Sequence, residues 1–507
     1  INGYLQQAEY RNTDWFDILF NNSISQNHAI SMSSGTEKAS YYTSLSAMSD
    51  PGWTKQSSVQ RYTANINALY NISQQVSLNL IGSTSYRKQK APGTLSSSID
   101  VVSGEVRRDF DINPYSYALN TSRALDPNEY YVRNYAPFNI LHELDNNNMD
   151  LNVVDLKFQG ELKWKPFKKV ELSALGAYKH SSTTQSHSIT DYSNQAWAYR
   201  AMDDATMRDA NPWLYTDPDV ANSLPLSVLP VGGFYRETKY GMNSYDFRGT
   251  ISYNDVFAED HVINLFGGMQ LTATDRSKTW FNGVGMQYDM GMLPSLFFKQ
   301  GKEENSQYYT VEETRSREVA FFATGTYSYK GRYTVNGTVR YEGSNKLGKS
   351  RSSRWLPTWN VSGAWNMHEE AFFEDLTPTL SNLTLRASYS LTADRGPANV
   401  TNSRVVIQSY NPYRPFASVS ESGLEIYDLE NSELTYEKKH EINLGADIGF
   451  INNRINLVFD WYRRNNYDLI GIINTMGVGG QIAKYANVAS MRSHGVEFTL
   501  STRNIAT

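Results

Sequence analysis

The 507-residue sequence contains no cysteine. That excludes a disulfide framework, a thiolate metal site and a cysteine nucleophile. It also has no run of about 18 apolar residues, which excludes helical membrane spans. Mean hydropathy is −0.53. That average leaves a membrane barrel open, because half of each barrel strand faces a wet lumen and the outer loops are polar. Net charge is only −5, which offers no general attraction to nucleic acid, so no nucleic-acid partner is expected. Histidine is sparse and scattered, at positions 28, 142, 180, 187, 261, 368, 440 and 494. His368-Glu369-Glu370 has no second histidine at helical spacing, so no zincin-type metal site is expected. Gly477-Val478-Gly479 lacks the third glycine and the strand–helix setting of a dinucleotide site, and reads as a flexible loop. Carboxylate pairs such as Asp203-Asp204 fall in loops, whereas glycosidase chemistry needs two carboxyls at a set separation. No catalytic residue and no cofactor is expected.

What the chain does have is alternation. In Glu441–Ile470, Ile442, Leu444, Ala446, Ile448 and Phe450 alternate with Asn443, Gly445, Asp447 and Gly449. Ile455, Leu457, Phe459 and Trp461 then alternate with Asn456, Val458, Asp460 and Tyr462. Period two over about ten residues gives two strands, each with one oily and one wet face. Asn452-Asn453 between them tolerates positive φ, which suits a tight hairpin turn.

The unit repeats along the chain. Strand patterns cover 26–34, 39–48, 60–70, 76–88, 150–165, 169–181, 242–256, 261–276, 315–330, 332–346, 355–367 and 381–393. With the hairpin above and a last strand near 491–503, fifteen strands are predicted. Short turns alternate with long excursions at 49–59, 89–149, 182–241, 277–314, 347–354, 394–436 and 471–490. Structureless loops of that size are rare in a compact soluble domain. Short turns on one rim and long loops on the other are the pattern of outer-membrane barrels. A soluble propeller or solenoid would repeat at a steady period with recurring motifs. Residues 1–25 precede the first strand, with Trp15, Phe16 and Phe20 as anchors.

The aromatics agree. Tyr62 and Tyr70 end one strand on one face; eight residues at about 3.3 Å, tilted about 45°, span roughly 19 Å. Trp164 at a turn end and Tyr178 at a loop end repeat the arrangement. Taken singly, each is equally an ordinary strand aromatic.

Several segments carry a family resemblance. They are Gln26-Asn27-His28 with Ser34–Lys38 and Tyr41-Tyr42; Asn134–Leu141; Leu162–Pro166; Arg340–Ser344; Leu385–Ser390; Asn452-Asn453-Arg454; and Ser493–Glu497. In this order the chain resembles the barrel of a SusC/RagA-type TonB-dependent transporter of Bacteroidetes outer membranes. The resemblance implies an all-β fold, a transmembrane antiparallel β-barrel of about 22 strands, an even number as in single-chain bacterial barrels. About fifteen are expected here, one before residue 1 and six after residue 507, with short periplasmic turns and long extracellular loops. The chain begins at Ile1 without methionine or a signal region and stops just after a strand. Both ends read as cuts, so 1–507 is expected to be one barrel domain of a longer protein, without the plug, TonB box and last strands.

The resemblance also implies partners: a SusD-like surface lipoprotein as a lid, energy from TonB-ExbB-ExbD through the missing plug, membrane lipid around the wall, and an oligosaccharide or peptide substrate. The loops supply ligand candidates: Tyr115, Tyr117, Tyr130, Tyr131 and Asn134 in one, Trp197, Tyr199 and Trp213 in the next. Aromatic faces beside amides and charges suit a sugar or peptide, which stacks on the ring and is oriented by the polar groups. Such rings equally suit holding loops together or gripping a neighbouring subunit. If 115–117 is extended, Tyr115 and Tyr117 point the same way; Tyr130 and Tyr131 point oppositely. The reading is active import of an oligomeric nutrient with no covalent step. The rivals are a siderophore or cobalamin receptor, a passive porin, and a surface adhesin.

Overall fold

The computed structural model describes residues 2–93, 98–99, 106–107, 110–217, 220–291, 293–294, 309–347, 350–377, 379–396, 405–410, 423–477 and 482–504. Parts of the 277–314 and 394–436 connections, and Val478 and Gly479, lie outside them.

Fifteen strands form one antiparallel meander, each pairing with its neighbours in sequence. They are β1 (Gln26–Gly35), β2 (Ala39–Asp50), β3 (Ser58–Asn71), β4 (Val76–Pro92), β5 (Asn147–Phe167), β6 (Val170–Ile189), β7 (Gly233–Phe257) and β8 (His261–Gln287). The series continues with β9 (Tyr309–Tyr329), β10 (Tyr333–Ser344), β11 (Trp355–Asn366), β12 (Leu380–Asp394), β13 (Glu437–Phe450), β14 (Ile455–Asn474) and β15 (Ala483–Thr502). These are the strands that alternation predicts, with β1 and β15 at the two sheet edges. Tight turns close one rim. Lys330-Gly331 sit at φ 53° and 69°, and Asn452-Asn453 at 53° and 59°. Positive φ at both central residues matches the turn's twist to that of the strands. Ile451 shares that region at φ 52°, an uncommon setting for a β-branched residue.

Register converts each strand's alternation into a continuous apolar band. Leu172 of β6 pairs with Trp164 of β5 and Ile251 of β7. Leu271 of β8 pairs with Phe247 and Val319. Leu444 of β13 pairs with Ala387 and Trp461. Trp164, Phe247, Ile251 and Leu444 are all exposed, and so extended an apolar surface marks a contact with lipid or protein. Aromatics border the band. On the turn side His261 stacks with Phe257 at 5.1 Å and packs on Tyr329 at 4.9 Å. On the loop side Tyr178 meets Tyr245, and Trp359 meets Tyr389, each at 5.1 Å.

Tyr178 is not at a strand end, as the sequence suggests. β6 runs on to Ile189, with His180, Ser182 and Thr184 taking the positions that continue the apolar face. β7 and β8 likewise reach beyond the expected ends. Above the band the outward residues turn polar while inner ones such as His187, Ile189 and Phe234 are buried against the mouth, so the strand persists by its ladder while the alternation of hydrophobicity disappears.

The opposite face is polar. The Arg386 guanidinium donates to both oxygens of Asp447 at 2.9 Å and to Asp460 at 3.1 Å. Gly445 lies beneath it: a Cβ there would meet Asp460 Oδ1 at 2.5 Å and Arg386 Cζ at 3.0 Å. The missing side chain lets the arginine reach from β12 across β13 to β14. The clusters of buried apolar residues lie among the long connections at the other rim.

Candidate functional site

The mouth is built from three segments. Residues 2–20 come first. Asp14 caps the short helix Trp15–Leu19 by accepting from the Phe16 and Asp17 amides, and the Trp15 indole donates to the Ser122 carbonyl at 3.0 Å. Trp15 and Leu19 are buried against Ile112, Phe138, Ile140 and Leu144 of the 93–146 connection. The expected anchor Trp15 is thus buried, while Phe16 and Phe20 stack on each other at 5.3 Å.

Tyr115 and Tyr117 lie on a helix, Pro114–Asn120, capped by Asn113 Oδ1 accepting from the Ser116 amide at 3.0 Å. The extended stretch that would align them is absent. Proline at the first turn and asparagine before it favour a helix start, and two helical positions diverge by about 200°. Tyr117 turns inward, edge-on to Trp15 at 5.1 Å. Burial, and then the neighbouring Tyr131, raise its pKa. Tyr115 turns outward, exposed, with Phe16 at 6.1 Å and Trp53 at 5.9 Å.

Tyr131–Arg133 and Ala136–Phe138 form a small hairpin. Asn134 and Tyr135 are its two-residue turn, at φ 54° and 63°. Tyr131 packs on Phe138 at 5.3 Å. Tyr130 goes to other partners, His142 at 5.7 Å and Trp197 at 6.5 Å. Trp197 stacks on His142 at 5.5 Å. Trp213 packs on Phe110 at 4.9 Å and on Tyr135 at 5.8 Å. Tyr199 meets Phe234 of β7 edge-on at 5.1 Å. The eight candidates therefore fall into linked aromatic groups rather than one pocket. Tyr115 and Tyr130 are the most exposed of those rings.

The joint between the 93–146 and 190–232 connections is polar. Asn194 opens the short helix Asn194–Ala198, and its side-chain amide donates to the carbonyls of Arg133, Ala136 and Pro137. Its own N–H donates to Glu143 Oε1 at 2.5 Å. Glu143 is 3% exposed, and burial pushes its pKa up to about 7 against the opposing pull of the Asn194 amide and Arg133. Asn139 caps the helix Ile140–Asn146 and donates back to the Pro127 and Glu129 carbonyls. Asn211 holds the carbonyls of Ala198 and Ala201. A buried amide with its hydrogen bonds met fixes local geometry because any other arrangement strands a polar group. Sequence reasoning passed over Glu143, Asn194 and Asn211. Asn139 had one signal, its place in the Asn134–Leu141 segment.

Comparison with known proteins fits this architecture. Residues 96–504 match the family described as TonB dependent receptor-like, beta-barrel. The TonB-dependent receptor SusC of Bacteroides thetaiotaomicron is 24% identical over 517 aligned residues, covering 98% of this chain and 46% of that protein. The structure of the RagAB peptide importer in its closed-closed state superposes with a TM-score of 0.70 at 20% identity, covering 97% of this chain and 49% of that one. The siderophore receptor PiuA of Acinetobacter baumannii gives a TM-score of 0.51 at 9% identity, covering 95% and 61%. The chain spans about half the length of the curated relatives it matches.

Proposed function

The chain belongs to the TonB-dependent receptor-like β-barrel family of the outer membrane, and from that premise we propose that it is the wall and mouth of an importer for an oligomeric nutrient. The substrate is an oligosaccharide or a peptide. A SusD-like surface lipoprotein covers the mouth, and TonB-ExbB-ExbD supplies energy through a plug carried elsewhere in the full-length protein. No covalent step acts on the cargo.

The observation that carries this reading is the mouth itself. Two long connections are fused by Asn194 into one shelf with outward-facing rings at Tyr115 and Tyr130. Rings of this kind serve both a stacking ligand and an interface anchor. In this reading Tyr115, Tyr117, Tyr130, Tyr131, Asn134, Trp197, Tyr199 and Trp213 divide between contact with cargo, contact with the lid and support of the shelf. Tyr117 now belongs with support and Tyr115 with contact, since their rings point apart.

Uptake of labelled oligosaccharides and peptides by cells expressing the full-length protein, with and without TonB, tests the reading. Uptake that needs TonB, with a lipoprotein co-purifying, is the expected result. Uptake that persists without TonB would make the protein a passive porin. TonB-dependent uptake of an iron chelate, with no lipoprotein bound, would make it a siderophore receptor.

A further inference from the structure

Where the wall rises past the apolar band, polar residues of four adjacent strands meet on the inner face. Asn147 opens β5, His187 stands on β6, Arg236 on β7 and Asn282 on β8. Register sets His187 opposite Arg236, and Arg236 opposite Asn282. His187 Nε2 bonds Asn147 Oδ1 at 2.6 Å. Arg236 Nε donates to Asn282 Oδ1 at 3.2 Å, and its Cζ stands 5.4 Å from the centre of the Phe234 ring. Gly93, after β4, packs so closely over Asn147 and His187 that any Cβ there would collide with both side chains. The row is tightly built.

Its charge is not balanced. Arg340, Arg386 and Arg464 of the wall each hold a carboxylate. Among the described residues Arg236 holds none, and its terminal nitrogens make no hydrogen bond there. Of the nearby acids, Glu237 holds Lys239, and Asp191 acts on Arg200 although its Oδ1 has no hydrogen-bond partner among the described residues. Burial, and then Arg236, pull the His187 pKa down to about 4, so the histidine is neutral near pH 7 and supplies no counter-charge. Asn147 is 1% exposed, and its side-chain nitrogen has no partner. The unmet groups of Arg236 and Asn147 are both donors. A half-buried cation with spare N–H groups, in one row with a spare amide N–H, is chemistry completed by an anion. A guanidinium presents parallel N–H bonds that match a carboxylate, and the ring of Phe234 holds its plane.

We propose that Arg236 is a carboxylate-binding subsite at the lumen mouth, receiving the acid group of the incoming oligomer. The inference rests on the import reading and narrows its substrate to acidic cargo. The carboxylate is that of a uronic acid in a glycan, or that of a peptide terminus or side chain.

The test measures calorimetric binding to the purified full-length transporter at pH 7.5. The probes come in two pairs: tetragalacturonate with its methyl ester, and a tetrapeptide acid with its amide. In one pair the acid is expected to bind at least about tenfold tighter than its neutral partner, the scale of one hydrogen bond to a charged group. Which pair discriminates names the source. Arg236→Gln is expected to bring that ratio to near one, and Arg236→Lys to keep part of it. Heat-modified gel mobility reports whether each variant is folded. A wild-type ratio near one in both pairs overturns the proposal without any variant, and so does a ratio that survives in folded Arg236→Gln. Cell uptake is measured separately: absence of uptake for every probe counts against import, while the binding ratio still decides the subsite.

Discussion

Glu143 shows how one buried side chain sets the behaviour of the mouth. Its carboxyl rises from an ordinary 4.5 to about 7, a shift worth on the order of 3 kcal/mol. The folded state holds the proton more tightly than the unfolded chain does. Its contribution to stability is therefore complete below about pH 4.5 and lost as pH rises through about 7. We expect amide exchange in Asn194–Ala198, corrected for intrinsic rate, to quicken between pH 5.5 and 8. Glu143→Gln keeps the oxygen that accepts from Asn194 and removes the titration, so exchange in that variant should be flat across the same range. A second contrast lies at the paired tyrosines. Tyr117→Ala should loosen the helix Pro114–Asn120 by on the order of 3 kcal/mol in local exchange, because a packed ring leaves a hole. Tyr115→Ala should cost about 1 kcal/mol or less there, the scale of an exposed ring contact. Equal effects would reverse the inward and outward assignments. None of this is visible in the sequence, where the two tyrosines look alike and Glu143 is one of several loop acids.

At the scale of elements, the hairpin β13–β14 was readable from Glu441 to Ile470, short of its upper ends at Glu437 and Asn474, because lipid on one side and water on the other impose alternation. Leu457 pairs with Ile448 and Leu500 on the apolar face, while Asn456 pairs with Gly449 and Ser501 on the polar one. Leu457→Arg should impede membrane assembly, at about 2–4 kcal/mol near the midplane. Asn456→Arg should cost much less, measured as folding into lipid vesicles under urea. Comparable costs would mean that the register is displaced by one residue. The upper parts of β6 to β8 were not readable, since their outward residues are polar and their inner ones pack against the mouth, which leaves no hydrophobic period to detect. The helix Pro114–Asn120 had its capping signal in Asn113 and Pro114, but the aromatic content of the loop drew attention to ligand contact instead.

At the scale of the whole molecule, the two rims predict where the protein is vulnerable in its membrane. We expect protease added to intact cells to cut within 120–130 or 203–226, on the loop side, and to spare the turns at 258–260, 330–332 and 451–454. Cleavage confined to those turns would invert the orientation. Strand number, strand order, alternating connection lengths and the lipid-facing set were all determined by the sequence alone. Each follows from a local rule: a two-residue period, a turn residue, a gap too long for a turn. What only the tertiary structure decided is the mouth. Glu143 meets Asn194, Tyr117 meets Trp15, and Arg236 stands beside His187 with no carboxylate partner among the described residues, because connections distant in the chain pack on one rim. Those pairings have no period, and their energy comes from desolvation and hydrogen-bond closure that exist only once the wall has brought the segments together.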